Sequence, residues 1–339
     1  MFSTIGCLLR YTLQFLRHRP DAVYLMVTRS KLGCVKDCVV MTLAGWRGVP
    51  IVVHVRGGDL GVFFRQLRGF WRWMVNRAYQ RVAIGIVLGE SLRAQFDGLL
   101  PSHQVRVVLN SWLDSDESLR PDRTPRGPKA PLRITFLSNV LPSKGLYDAL
   151  EGVALAIRQG VKLEFRFAGD FLDHDGAIAK LPGLAKDNLP ASSLERKYTE
   201  LLATLGIEDH VVRLGVIAGA SKWELLADTD ILLLPIYNPT EGQPLTVIEA
   251  MRAGCAIIAT ACGGLVDITE EGVTGRVVPP RRPDEIGRAI RWFWDHPEEL
   301  GRIGRDNVKR AEQRHSPKQH VSRMAEILRE AIRNRCPVA

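Results

Sequence analysis

Short apolar runs alternate along this chain with longer stretches in which apolar residues recur at helical spacing. The runs predict strands over residues 22–28, 50–55, 82–88, 105–109, 132–137, 162–168, 211–214, 231–234, 256–260 and 275–278. The intervening stretches predict helices, among them one long helix over Val62–Arg81 and three basic helices at the C-terminal end. Helices that alternate with strands apolar along their whole length are typical of a doubly wound parallel sheet. The sequence therefore predicts the α/β class.

A stretch rich in proline and charge, residues 115–131, interrupts this alternation and is the best linker in the sequence. A chain of 339 residues is long for one core, so two domains are the default expectation. We place an N-terminal domain at residues 1–114 and a C-terminal domain at residues 132–315. The last residues, 316–339, are expected to form a helix that packs back toward the N-terminal domain.

The net charge of +9 is unevenly distributed along the chain. Residues 1–130 hold 19 Lys and Arg residues against 9 Asp and Glu residues, so the first part of the chain carries the whole excess. Such asymmetry indicates an acidic partner. The charge alone does not distinguish an anionic membrane surface, a phosphorylated substrate and nucleic acid.

The cysteines and the hydropathy bear on the setting of the protein. Six scattered cysteines form neither a disulfide framework nor a zinc motif, which favours a reduced, cytoplasmic location. No signal peptide is expected, because Arg10 interrupts the only apolar candidate and no small-residue cleavage site follows. No apolar stretch is long enough to predict a membrane span.

The segment Thr240–Gly254 holds two glutamates, Glu241 and Glu249, on either side of a predicted loop-to-helix junction. It follows the apolar run Ile231–Pro235, and Pro244 suits the first turn of the helix. A strand, a glycine-containing loop and a helix N-terminus together favour an anion site, because unpaired amides and the helix dipole converge there. A phosphate at the helix start and a carboxylate one turn inside it indicate a nucleotide-linked ligand.

Several motifs in a fixed order resemble one protein family. Residues 132–332 resemble the C-terminal domain of retaining glycosyltransferases of the GT-B fold, family 4 type. The motifs that carry the resemblance are Phe136–Gly145, Phe167–Asp170, Val212–Val216, Glu241–Glu249, Ala261–Gly264 and Glu271–Gly275. Residues 20–114 resemble the second half of the family's N-terminal domain. The first strands of that domain and its glycine-rich loop have no counterpart, so an incomplete N-terminal domain is expected.

The resemblance implies a fold and an activity. The fold would be two Rossmann-like, doubly wound domains that face each other across a cleft. The activity would be transfer of a sugar, with retention of configuration, from a nucleotide-diphosphate sugar to a glycan or lipid-linked acceptor, without a cofactor or metal. Such enzymes serve polysaccharide biosynthesis and the bacterial cell envelope. Two alternatives stay open: a catalytically impaired relative that binds nucleotide sugars, and a nucleotide-sugar epimerase on the same fold.

The resemblance also implies roles on the donor side. Lys144 would bind the diphosphate, Glu249 the ribose hydroxyls, and Glu241 the donor sugar, where a carboxylate stabilises developing positive charge. An arginine that the family usually has shortly before the lysine is replaced by Ser138 and Asn139. The remaining donor-binding candidates are Asn139, Gly215, Gly242, Gln243, Pro244, Leu245 and Thr246. The alternatives are that Lys144 is a solvated loop lysine, that Glu249 is an exposed helix glutamate, and that Glu241 only offsets the helix dipole.

Three residues after the second predicted strand are candidates for the acceptor side. The family often has a histidine where Arg56 stands, and His54 lies on the same face if the period of two continues. Both are predicted as catalytic residues, with a packed strand histidine and a phosphate-binding arginine as the alternatives. Asp59 would meet an acceptor hydroxyl or stabilise a turn.

The predicted helix Val62–Arg81 interleaves arginines with aromatic residues and contains no acidic residue. This composition suits an anionic membrane interface, and it equally suits a core-facing aromatic stripe with a solvated basic face. Nucleic acid is not the expected partner, because no nucleic-acid-binding module accompanies the basic residues. The expected location is cytoplasmic, with peripheral association at the inner face of the membrane.

Overall fold

The computed structural model of the chain describes residues 2–28, 30–112, 130–173 and 189–334, with the side chains of all but residues 2–5, 7–9 and 16. It forms two compact units. Unit 1 comprises Met1–Asn110 and Lys318–Ala339, and unit 2 comprises Ser111–Pro317. The predicted linker, 115–131, lies almost wholly outside the described residues.

Unit 1 is built on a parallel sheet of four strands that lie in the same order as in the sequence. The strands are β1 (Val23–Met26), β2 (Ile51–His54), β3 (Val82–Val87) and β4 (Val105–Val107). The helices of the unit are α1 (Phe2–Arg17), α2 (Lys31–Trp46), α3 (Leu60–Gln66), α4 (Gly69–Tyr79) and, from the C-terminal end, α11 (Pro317–Arg333).

The two faces of this sheet bury different helices. Ile327 and Ala331 of α11 pack against β-strand residues such as Ile84, which explains why the C-terminal helix belongs to unit 1. A larger core holds residues of α2, α3 and α4, with Met41 and Phe64 among its most buried members. The apolar faces that the sequence pattern shows in these helices are therefore buried against the sheet.

The prediction of one helix over Val62–Arg81 is wrong, because the chain forms α3 and α4 with a break between them. Leu67 is extended and buried, and Gly69 has a φ of 53°, which a helix interior does not allow. The side chain of Leu67 is drawn into the core, and this tertiary contact outweighs the helical periodicity.

Unit 2 is built on a parallel sheet of six strands. The strands are β5 (Leu132–Leu137), β6 (Leu163–Ala168), β7 (Val211–Gly215), β8 (Ile231–Leu234), β9 (Ala256–Thr260) and β10 (Gly275–Val278). The helices are α5 (Leu146–Arg158), α6 (Ala191–Leu205), α7 (Ala220–Ala227), α8 (Leu245–Arg252), α9 (Pro283–Asp295) and α10 (Pro297–His315). The core of this unit is one cluster that contains strand residues of the sheet and residues of α5, α8 and α9.

The strand order in unit 2 is β10-β9-β8-β5-β6-β7. The chain therefore builds outward from β5 in one direction and returns to build outward in the other, starting with β8. Such a reversal defines a topological switch point between β5 and β8, and ligands bind outside the carboxyl ends of the strands there. The predicted α/β class, with parallel sheets in both halves, is confirmed.

Across the part of the chain that the structure describes, no helix has the length and apolarity that crossing a bilayer requires.

Pro244 precedes α8 as its N-terminal cap residue and does not lie in the first turn as predicted.

Candidate functional site

Two loops meet at the switch point of the six-stranded sheet, one after β5 and one after β8. Gly145, which follows Lys144, has a φ of 81°. A Cβ atom at this glycine would lie 2.2 Å from the carbonyl oxygen of Pro235. No other residue fits so close to a backbone, so Gly145 fixes the loop that carries Lys144 against the end of β8.

The loop that carries Glu241 is held by a turn at Asn238. The side-chain oxygen of Asn238 accepts hydrogen bonds from the amide and hydroxyl of Thr240, at 3.0 and 2.9 Å. The amide of Glu241 donates to the carbonyl oxygen of Asn238 at 3.1 Å. These bonds satisfy the backbone as it leaves the sheet and set the direction of the glutamate.

The second contact on this loop comes from the paired glycines after β9. Gly264 donates its amide to the carbonyl oxygen of Glu241 at 3.0 Å. A Cβ atom at Gly263, whose φ is 54°, would lie 2.5 Å from the same oxygen. The two glycines therefore allow one loop to pack backbone to backbone on the other.

Lys144 and Glu241 form an ion pair across the switch point, although 97 residues separate them in sequence. The Nζ atom of Lys144 donates to both carboxylate oxygens of Glu241 at 2.9 Å. The side chains are 20% and 17% exposed, so the pair is partly shielded from water but open to a ligand. Burial raises the pKa of the Cys262 thiol, and the Glu241 carboxylate adds to the effect.

Glu249 lies one turn inside α8 and is 4% exposed. Its Oε1 atom accepts a hydrogen bond from Nζ of Lys222 at 2.6 Å. Lys222 lies in the first turn of α7, and its side chain is 20% exposed. Each of the two signature glutamates thus has its own lysine. The first amides of α8, such as those of Leu245 and Thr246, have no acceptor within the helix and carry the positive end of its dipole.

The predicted donor-side residues Gly242–Thr246 lie at this helix start, whereas Asn139 follows β5 and Gly215 ends β7. Gln243 is buried, and the carbonyl of Gly242 packs against Gly264. Asn139 is exposed, and its side-chain oxygen accepts from the amide of Asp170 at 3.2 Å. Gly215 ends β7 with a φ of 69°, and its carbonyl accepts from the amide of Gly169 at 2.7 Å.

The predicted acceptor-side residues lie in unit 1 and have differing surroundings. His54 is 1% exposed, its Nδ1 atom lies 2.6 Å from the hydroxyl of Tyr24, and its Nε2 atom has no hydrogen-bond partner among the described residues. Burial lowers the pKa of His54 to about 4, and the charges of Arg56 and His320 contribute. The imidazole is therefore neutral at pH 7.

Arg56 and Asp59 follow the end of β2. Arg56 is exposed and donates to the side-chain oxygen of Asn110 at 3.1 Å. Asp59 is half-buried at the N-terminus of α3 and makes no side-chain capping hydrogen bond there. Because β2 ends at His54, the alternation that the sequence suggested does not extend to Arg56, and the two side chains have different exposures.

The sequence did not reveal the roles of three residues of the site. These are Lys222, Asn238 and Gly263, which packs on the loop of Glu241. Nothing in the hydrophobic periodicity of α7 marks Lys222, because its partner lies 27 residues further along the chain. Asn238 could have been found, since an asparagine shortly after a strand is a common turn residue.

Comparison with known proteins agrees with this architecture. The structure is similar to that of HepE from Anabaena, which was solved in complex with UDP and glucose. The TM-score is 0.69 at 19% sequence identity, over 94% of this chain and 81% of that one. Together with the two parallel sheets and the switch point, this similarity defines a protein of the GT-B fold.

The family follows from sequence. Residues 122–310 match the sequence model of the family described as glycosyl transferases group 1, which is more than half of the chain. The chain belongs to this family.

Two curated relatives illustrate the range of the family. An alpha-D-kanosaminyltransferase from Streptomyces kanamyceticus is 23% identical over 267 residues, which are 74% of this chain and 63% of that protein. A D-inositol 3-phosphate glycosyltransferase from Streptomyces griseus is 31% identical over 206 residues, 56% of this chain and 39% of that protein. In both comparisons the chain spans less than two thirds of the length of the relative.

Proposed function

We propose that the chain is a retaining glycosyltransferase of the family 4 type that uses a uridine or guanosine diphosphate sugar as donor. The observation that carries the proposal is the pairing of both signature glutamates with lysines at the switch point of the six-stranded sheet. Lys144 with Glu241, and Lys222 with Glu249, place two carboxylates and two ammonium groups beside the N-terminus of α8. A nucleotide-diphosphate sugar has the complementary groups: phosphates for cations and amides, and hydroxyls for carboxylates.

The proposed chemistry uses these groups in a fixed division of roles. Lys144 and the first amides of α8 stabilise the diphosphate as it takes up negative charge on leaving, so no metal or cofactor is part of the proposal. Glu249 accepts hydrogen bonds from the ribose through the carboxylate oxygen that Lys222 leaves available. Glu241 lies beside the sugar and stabilises positive charge at its anomeric carbon.

The ion pair of Lys144 with Glu241 has a consequence for binding. A diphosphate must compete with Glu241 for the ammonium group, since both carboxylate oxygens already accept from it. Donor binding would therefore release Glu241 from Lys144 and leave its carboxylate available to the sugar. The acceptor in this proposal is a glycan or lipid-linked sugar presented at an anionic membrane surface.

Calorimetric titration with a panel of nucleotide-diphosphate sugars tests donor binding. We expect heat with at least one uridine or guanosine diphosphate sugar and a weaker signal with the corresponding free sugar. The absence of binding to every member of the panel would overturn the donor-site proposal. The configuration of the product, followed by NMR of the anomeric proton, tests retention separately.

A second candidate function is nucleotide-sugar binding without turnover. It is favoured by Asn139, which stands near the lysine where the resemblance implies an arginine, and by His54, which is buried and neutral. If the wild-type chain binds a nucleotide sugar yet neither transfers nor hydrolyses it, this second function replaces the first.

A further inference from the structure

An aromatic and basic surface lies on unit 1, and none of its residues takes part in the proposed chemistry. It consists of the exposed or half-buried residues at the starts of α2 and α4: Lys31, Leu32, Arg68, Phe70, Trp71, Arg72 and Trp73. We propose that this surface docks the chain onto an anionic lipid bilayer. The inference supplies the docking surface for the membrane location proposed above, but it does not depend on sugar transfer.

The aromatic residues of this surface are not core residues. Phe70 is 65% exposed and Trp73 is 62% exposed, and their ring centroids are 5.8 Å apart. Leu32, the second residue of α2, is 70% exposed. The core-facing alternative holds for other aromatic residues of the same stretch, Phe64 and Tyr79, which are buried. The sequence stretch therefore divides its aromatic residues between the core and the solvent.

The exposed residues form one continuous patch, because α2 and α4 pack side by side. Trp71 connects them: the Nζ atom of Lys31 lies 5.9 Å from its ring centroid, and the ring of Phe70 lies 6.2 Å from it. A contiguous apolar patch with a basic rim marks an interaction site rather than ordinary surface.

The charge of this region selects an anionic partner. No Asp or Glu occurs between Asp59 and Glu90 in the sequence, whereas Arg68 and Arg72 border the exposed rings. Aromatic rings favour the boundary between headgroups and acyl chains, and basic side chains favour the negative potential of anionic lipids. The patch lies on the outer surfaces of two helices and not in a groove, which suits a planar bilayer better than a single nucleic-acid strand.

The topology of unit 1 places this surface at a defined edge. Since β2 and β3 are parallel and α4 runs back to the start of β3, the N-terminal end of α4 lies toward the carboxyl edge of the sheet. That is the edge at which β2 ends and at which Arg56 and Asp59 follow. A bilayer bound here would present lipid-linked molecules beside the predicted acceptor-side residues.

Sedimentation of the full chain with vesicles tests the proposal. We expect binding to vesicles of phosphatidylcholine with phosphatidylglycerol, no binding to phosphatidylcholine alone, and release by salt. The double variant Phe70→Ser, Trp73→Ser should reduce the partition coefficient at least about 100-fold, since burying each aromatic side chain contributes roughly tenfold or more. Its thermal midpoint should match the wild type, because both rings are exposed.

Trp46→Ser is the matched control for the aromatic residues. Trp46 is 70% exposed at the C-terminal end of α2, which lies toward the opposite edge of the sheet. This variant loses an equally exposed ring from the same unit and should bind vesicles as the wild type does.

A charge variant keeps the proposal falsifiable if the aromatic double variant fails to fold. Arg68→Gln with Arg72→Gln should weaken vesicle binding about 25-fold, at roughly fivefold per arginine. Arg305→Gln with Lys309→Gln removes the same charge from an exposed part of α10 and should leave binding unchanged. The proposal would be overturned if the wild-type chain did not bind anionic vesicles, or if it bound single-stranded nucleic acid instead. Equal vesicle binding by the aromatic double variant and by Trp46→Ser would overturn it as well.

Discussion

Each of the two sheets of this protein is parallel, but their topologies differ. The six-stranded sheet reverses its order at β5 and β8, and the four-stranded sheet runs in sequence order from β1 to β4. A reversal separates the loops that follow neighbouring strands and so forms a crevice at the carboxyl edge. In unit 2 the loops on the two sides of the reversal meet through the ion pair of Lys144 with Glu241, whereas His54 of unit 1 is packed and neutral.

Glycine residues serve different purposes in the two units. In unit 2, Gly145, Gly263 and Gly264 lie where a Cβ atom would meet a backbone atom of a neighbouring loop. In unit 1, Gly69 has a positive φ with no atom near its missing side chain, so it serves a change of chain direction only. The glycines of the site thus serve close packing of backbone on backbone, which also occurs elsewhere in unit 2, as at Gly275 and Gly304.

The largest expected effect concerns Glu241. Glu241→Ala should lower sugar transfer by about 1000-fold or more, because it removes the charge that stabilises the transition state. Nucleotide affinity should stay the same or increase, since Lys144 loses its competing partner. Steady-state kinetics and calorimetry measure the two effects, and His54→Asn is the comparison from unit 1. If His54→Asn reduces the turnover more than Glu241→Ala does, the assignment of the main catalytic charge to unit 2 is wrong.

The pH dependence of stability tests the buried histidine. Below its ordinary pKa of 6.5 the unfolded chain binds a proton at His54, but the folded chain does not until about pH 4. Lowering the pH through this window should therefore reduce the free energy of unfolding by up to about 3 kcal/mol from this residue. Urea denaturation of wild type and His54→Asn between pH 7 and pH 4 isolates the contribution. Parallel curves for the two proteins would show that His54 is not neutral and buried.

Gly145 and Gly160 form a matched pair at the two ends of α5. Both have left-handed backbones, with φ of 81° and 85°, but only Gly145 has neighbours at the Cβ position. Each change to alanine should cost about 1–2 kcal/mol for the backbone, and Gly145→Ala should cost about 2 kcal/mol more for the clash. Gly145→Ala should also weaken nucleotide binding by moving Lys144. Equal losses of stability for the two variants would contradict the close packing of the loops.

The smallest expected effect concerns Lys222, which we regard as a positioning residue. Lys222→Met should reduce nucleotide affinity about fivefold, because Glu249 loses the hydrogen bond that orients its carboxylate. Lys222→Arg keeps the charge and should recover most of the affinity. An unchanged affinity in Lys222→Met, with a lowered thermal midpoint, would show a purely structural role.

Much of this architecture could be predicted from local pattern. Most strands were predictable because they are short and mainly apolar, although some, such as β4, β6 and β7, contain charged residues. Glu241, Glu249 and Lys144 were singled out because their motifs occur in a fixed order, and their roles stay predictions. Contacts between distant segments could not be predicted in this way. The bond between Lys222 and Glu249 joins α7 to α8 across 27 residues of sequence, and the break at Leu67 depends on the core that buries its side chain.

The exposed rings of Phe70 and Trp73 show the same limit. From the sequence, the aromatic residues of Val62–Arg81 could either pack in the core or contact a membrane. Periodicity does not tell which face of a helix meets the sheet. Once Leu67 ends α3, the rotation of α4 is set separately, and Val75 and Tyr79 become its buried residues.

The most direct test of the donor site is the recognition of ribose by Glu249. The affinities of the wild-type chain and of Glu249→Ala should be compared for a nucleoside diphosphate and for its 2′,3′-dideoxy analogue. The wild type should prefer the ribonucleotide by at least about tenfold, as charge-assisted hydrogen bonds contribute about 1.5–3 kcal/mol, and Glu249→Ala should lose this preference. The same preference in both proteins would contradict the placement of the nucleotide at the N-terminus of α8.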